Sequence, residues 1–167
     1  RPAIVIGHSM GGAIGQELAL RYPDQLKALV LVTTGAKLGV DPVYLEKLKA
    51  GERDPERAKL AFSPSADPSL IEMVQSQEAY SPVESAYRDF LACSRFDRRA
   101  DIQTISVPTL VIGGEDDRMT PPKFSAFLAE KIPDAQLVLV PKAGHYVMIE
   151  QPEAVDEALI PFLQKWA

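Results

Sequence analysis

The chain has 167 residues, 46% hydrophobic and 25% charged, and no window approaches the ~18 consecutive apolar residues of a membrane span, so one soluble domain with a real core is the expectation. Its net charge of -5 is spread in mixed-sign clusters such as residues 51–57, without the basic stripe that attracts nucleic acid. The lone cysteine, Cys93, excludes an internal disulfide, fits a reducing, cytoplasmic setting and reads as a buried helix residue.

Arg1 stands first and Pro2 to Ile6 already reads as core strand with no signal peptide before it, so a chain cut at its beginning is expected. Ala3, Ile4, Val5 and Ile6 form a continuous apolar run, suited to a strand buried in a parallel sheet. From Met10 to Tyr22 the spacing turns helical, with Ile14 and Leu18 one turn apart and Pro23 closing the segment. Further strands are expected over 27–32, 109–112 and 136–140, with a helix starting at Thr120-Pro121. A last helix begins near Pro152 and places Val155, Leu159, Phe162, Leu163 and Trp166 on one face; Pro161 should kink or break it. Strands alternating with helices imply a helix-covered parallel sheet, an α/β fold.

Residues 37–97 contain no strand pattern. Asp41-Pro42, Asp54-Pro55, Asp67-Pro68 and Ser81-Pro82 each pair an N-cap residue with proline at the first helical position, which predicts a set of short helices. After the last start, Val83, Ala86, Tyr87, Phe90 and Leu91 make one apolar stripe.

Gly7-His8-Ser9-Met10-Gly11 fits G-x-S-x-G, a pattern that a chain of this length matches by chance about one time in twenty. Its setting between a buried strand and a helix is what makes it a nucleophile elbow, and Gly11, Gly12 and Gly15 would let that helix approach the sheet. A serine hydroxyl needs an adjacent base. His8 leaves the turn in a different direction from Ser9 and reads as a packed neighbour. His145, in the loop after the last strand, is the base candidate. Glu115, Asp116 and Asp117, after the third strand, supply carboxylates at the same sheet edge, where open α/β sheets place their sites.

These segments resemble the α/β-hydrolases, in particular their esterase, lactonase and cofactor-free haloperoxidase group: Gly7-His8-Ser9-Met10-Gly11-Gly12, residues 107–117, and Gly144-His145. In relatives the acid lies three residues after the glycine and four before the proline of a loop like 114–121. The resemblance thus selects Asp117, with Asp116 in reserve. Ser9 in place of an aspartate argues against the haloalkane dehalogenase and epoxide hydrolase branches.

The resemblance further implies a partial α/β-hydrolase fold with a mostly parallel sheet of about four strands. Residues 1–36 and 98–167 would form the core, and 37–97 a helical cap or lid. The four strands resemble the last four of the family's eight. Without the loop that supplies one oxyanion N–H in relatives, only the backbone N–H of Met10 remains, and loss of one such donor costs roughly 10²- to 10³-fold in rate. The strand over 3–6 becomes an open apolar edge, expected to pair with a second copy in a homo-oligomer or with an N-terminal segment.

The function expected is hydrolysis of small carboxylic esters or lactones through an acyl-enzyme on Ser9, with no cofactor or metal and no nucleic-acid or membrane partner. Met73, Tyr80, Tyr87 and Phe90 of the cap are expected to face an apolar or aromatic substrate. The alternatives are an impaired scaffold or interaction module that keeps the three residues without turnover, and a perhydrolase or acyltransferase using the same serine.

Overall fold

The computed structural model describes residues 1–54 and 56–166. Among them are four strands, β1 (Ala3–His8), β2 (Leu26–Val32), β3 (Thr109–Gly114) and β4 (Gln136–Val140), in one parallel sheet of order β1-β2-β3-β4. Parallel neighbours need crossovers, and helices supply them. Helix α1 (Met10–Arg21) links β1 to β2, and α6 (Pro122–Lys131) links β3 to β4. Helices α7 (Val147–Glu150) and α8 (Pro152–Trp166) follow the last strand.

The continuous apolar runs are explained by the two packed faces. Along β2, Leu29 and Leu31 enter a cluster with Ala19 of α1, Leu128 of α6 and Ile132 at its C-cap. Ala28, Val30 and Val32 enter the opposite cluster, with Val155 and Phe162 of α8. That is the two-residue side-chain period of a strand covered on both sides. Leu29 and Leu31 are fully withdrawn from water, a burial worth roughly 1.5–3 kcal/mol each.

Helix α8 runs through Pro161 without the predicted break. Proline removes one backbone donor there, but Val155 before it and Phe162 after it are both anchored in the same core cluster. The helix after β3 begins at Pro122 with Pro121 as its N-cap, later than the Thr120-Pro121 start expected, because the Thr120 hydroxyl is drawn back onto Asp117.

Between β2 and β3 lie α2 (Pro42–Lys49), α3 (Glu56–Leu60), α4 (Pro68–Glu78) and α5 (Val83–Arg95). Asp41 and Asp67 cap α2 and α4 as their spacing predicts, accepting from Val43 N and Ser69 N. At the second start Pro55 lies outside the described residues, and Asp54 accepts from Glu56 N. The fourth differs: Pro82 is the N-cap of α5 and no side chain caps it. This block leaves and rejoins the sheet through one neck, where Lys37 and Asp97 form an antiparallel bridge and an ion pair at 3.5 Å. No described helix is long and apolar enough to cross a membrane.

Candidate active site

Register brings the strand ends together. His8 pairs with Val32 and Val32 with Ile112, while Gly114 pairs with Val140. The loops after β1, β3 and β4 therefore open at one edge of the sheet. Ser9 sits between β1 and α1 with φ 53° and ψ -116°, a left-handed conformation that costs a non-glycine residue energy and recurs where function over-determines the backbone. Hydrogen bonds hold it: Ser9 N donates to Val32 O at 3.0 Å, and Ser9 O accepts from Gly12 N at 2.9 Å, Ala13 N at 3.3 Å and the Thr34 hydroxyl at 2.8 Å. A Cβ at Gly7 would collide with the backbone carbonyl of Gly11, so the turn requires glycine there. Gly12 and Gly15 abut Thr34 and Leu29, as helix approach demands. A Cβ on Gly11 would meet nothing within 4 Å, so Gly11 serves no close approach.

His145 and Asp117 form a buried pair. His145 Nδ1–H donates to Asp117 Oδ2 at 2.9 Å, and both residues are 3% exposed. The same Oδ2 accepts from the Thr120 hydroxyl at 2.7 Å. Oδ1 accepts from Met119 N at 2.8 Å and Thr120 N at 2.9 Å. Four donors thus saturate the carboxylate, which holds its plane and keeps the proton of His145 on Nδ1, leaving Nε2 with its lone pair. Asp116 turns elsewhere, accepting from the Ser63 hydroxyl at 2.7 Å, and Glu115 is exposed.

The His145 loop is clamped from below and above. Its carbonyl accepts from His8 Nε2–H and from the Thr33 hydroxyl, both at 2.9 Å. Its backbone N–H donates to Ala61 O. Glu150 accepts from Gly144 N through one oxygen and from Ser63 N through the other, each at 2.8 Å, and burial pushes its pKa up. Nothing in the sequence marks Ser63 or Glu150, whose bond joins residues 87 apart and leaves no periodic signal, and Thr120 read there only as a helix start.

Burial, and then the charge of His145, lowers the pKa of His8 to about 4. An unfolded His8 titrates near 6.5, so as pH falls through the window from 6.5 to 4 the unfolded chain takes up a proton that the folded one refuses. Stability supplied by neutral His8 is complete above that window and should be lost through it, by about 3 kcal/mol in all. Urea unfolding at pH 7 and pH 4.5 should show the loss, and His8→Gln, which keeps a donor for the His145 carbonyl, should flatten the dependence. An unchanged slope in that variant would remove His8 as its source.

Ser9, Met10, His8 and His145 line a cavity of about 640 Å³ whose opposite wall comes from the α2–α5 block. Met10 N–H is the first amide of α1 and, as such, has no intrahelical acceptor. Of the four cap residues expected to face substrate, only Phe90 lines this cavity. Met73 and Tyr80 are 43% and 85% exposed outside it, and Tyr87 packs with Val83 and Ala86 against Tyr44 and Leu48. Phe90 belongs to the same cluster between α5 and α2 and also reaches the cavity. Beside Phe90 the wall carries the aromatic Tyr44 and Tyr146, and also the charged Arg53, Arg57 and Glu78. Burial, then Glu78, raises the Tyr146 pKa to about 12, and its hydroxyl donates to Glu78 Oε1 at 3.4 Å. No group of three or more His, Cys, Asp or Glu among the described residues is placed to hold a metal ion.

Comparison with known proteins adds to this geometry. The profile of the alpha/beta hydrolase family matches residues 1–158. Pimeloyl-[acyl-carrier protein] methyl ester esterase of Neisseria meningitidis serogroup A is 31% identical over 92% of this chain and 54% of its own length. 3-Oxoadipate enol-lactonase 2 of Acinetobacter baylyi is 28% identical over 98% of this chain and 64% of its own. A solved thermophilic esterase superposes with a TM-score of 0.86 at 40% identity, over 99% of this chain and 67% of that one. The chain thus spans about half to two thirds of the length of these relatives.

Proposed function

The chain belongs to the alpha/beta hydrolase family, and from that membership and the geometry above we propose that it is a serine hydrolase of small carboxylic esters or lactones. The observation that carries the reading is the saturated Asp117 carboxylate on His145 Nδ1, beside a strained Ser9 on the same cavity. His145 Nε2 accepts the Ser9 proton as Oγ attacks the substrate carbonyl. Asp117 stabilises the imidazolium that forms. Met10 N–H donates to the oxyanion. The imidazolium then protonates the departing alkoxide, and water, deprotonated by the same His145, releases the acid from the acyl-enzyme. Residues 37–97 act as a lid over this cavity. The free, buried Cys93 is in keeping with a reducing cytoplasm.

Hydrolysis of p-nitrophenyl acetate tests the reading: release of p-nitrophenol above the buffer rate is expected, with an acetyl group on Ser9 after acid quench. Release at the buffer rate with no acetylated protein would remove it.

The open side of β1 carries a second expectation. Ile6 is 51% exposed on this edge strand, and unpaired strand edges recruit partners. We read that edge as pairing with a second copy or another segment. Sedimentation at micromolar concentration should show dimers or larger species, shifted toward monomer by Ile4→Lys. A monomer indifferent to the substitution would contradict it.

A further inference from the structure

We infer that the cavity contains a receptor for a carboxylate, formed by Arg57, so that the ester cleaved at Ser9 carries a free carboxylate remote from its scissile bond; the inference rests on the hydrolase reading above. Arg57 lies in the wall of the cavity that Ser9 and His145 also line. Its guanidinium carbon stands 3.9 Å above the Tyr44 ring centroid and 5.5 Å from that of Phe90. The two rings meet edge to face at 5.2 Å, which makes a rigid aromatic corner behind the cation.

Arg57 Nε is buried and has no hydrogen-bond partner. The other arginines either have a partner or, like Arg1 and Arg95, stand exposed to water. Arg21, Arg88, Arg98 and Arg99 are ion-paired, while Arg53 and Arg118 donate to backbone carbonyls. The chain has acids to spare, 23 against 18 basic residues, yet none pairs with Arg57 among the described residues. Asp54, on the same wall, is taken by Lys47 at 3.1 Å. Glu78 and Asp89 also line the cavity but are exposed.

A guanidinium cannot shed its proton, so an unpaired one in a cavity wall is a standing receptor for an anion. Stacking on one face leaves the Nη1 and Nη2 end of the planar fork to bind a carboxylate through two parallel N–H donors. Glu78 and Asp89 in the same cavity favour a monoanion over a phosphate dianion, which they would repel more.

The test compares kcat/KM for monomethyl adipate, with its free carboxylate, against neutral dimethyl adipate. The wild-type chain should prefer the monoester. Arg57→Gln should lower that preference roughly 10- to 100-fold, and Arg57→Lys should recover part of it. Arg88→Gln, at an exposed helix pair, should leave it as it was. A wild-type chain that does not prefer the monoester, or an unchanged preference in a folded Arg57→Gln, overturns the carboxylate site and leaves the hydrolase reading standing. If neither ester is cleaved, hydrolysis of p-nitrophenyl acetate decides the hydrolase reading, and calorimetric titration of Ser9→Ala with monomethyl adipate decides the site separately. Binding that Arg57→Gln weakens by the same factor supports it, and absence of binding to Ser9→Ala overturns it.

Discussion

Asp117→Asn is expected to lower kcat by about 10⁴, whereas Asp116→Asn should change it only a few-fold. The difference comes from which atoms are held. Oδ1 of residue 117 is pinned by the N–H groups of Met119 and Thr120, which an amide nitrogen cannot accept. The asparagine must therefore present its NH₂ where Oδ2 stood, facing Thr120 and His145 Nδ1. A donor there forces His145 to carry its proton on Nε2, which deprives Ser9 of its base. The Asp116 carboxylate accepts from the Ser63 hydroxyl, and an asparagine amide there keeps an acceptor oxygen for that bond. Steady-state kinetics on the two variants should separate them by about three orders of magnitude; the reverse ranking would mean that the loop places the wrong carboxylate on the histidine.

Ser9→Ala and His145→Ala should each lower kcat on the order of 10⁶, and the double variant should lose little more, because nucleophile and base act as one unit. Some rate above that of water should persist in all three, from Met10 N–H and from substrate binding. Losses that multiply in the double variant would indicate that the two side chains work independently.

Much of the sheet was legible because burial on both faces leaves a direct mark. Residues such as Leu29, Val30 and Leu31 have no polar neighbour to interrupt the run, since each face of β2 meets a helix. The Asp-Pro starts were equally readable, being local chemistry in which a carboxylate meets the amide two residues on. Ser81 failed as a cap because proline at 82 took that place in α5. The cavity wall was not legible. Tyr44, Arg57 and Phe90 come from three helices whose mutual placement is decided by tertiary packing, and an arginine that stacks on rings instead of pairing with an acid looks in sequence like any solvated charge. Of the kink or break expected at Pro161, the break does not occur: the cost of proline there is offset by burial on both sides, at Val155 and at Phe162.

The most direct test of Ser9 as the nucleophile is labelling with a fluorophosphonate probe, read by intact mass and by mapping of the modified peptide. Such probes need a hydroxyl activated by its base rather than mere exposure. One adduct on Ser9 is predicted, absent in Ser9→Ala and much slower to form in His145→Ala. An adduct that survives in Ser9→Ala, or that maps to another residue in the wild-type chain, would contradict the role given to Ser9.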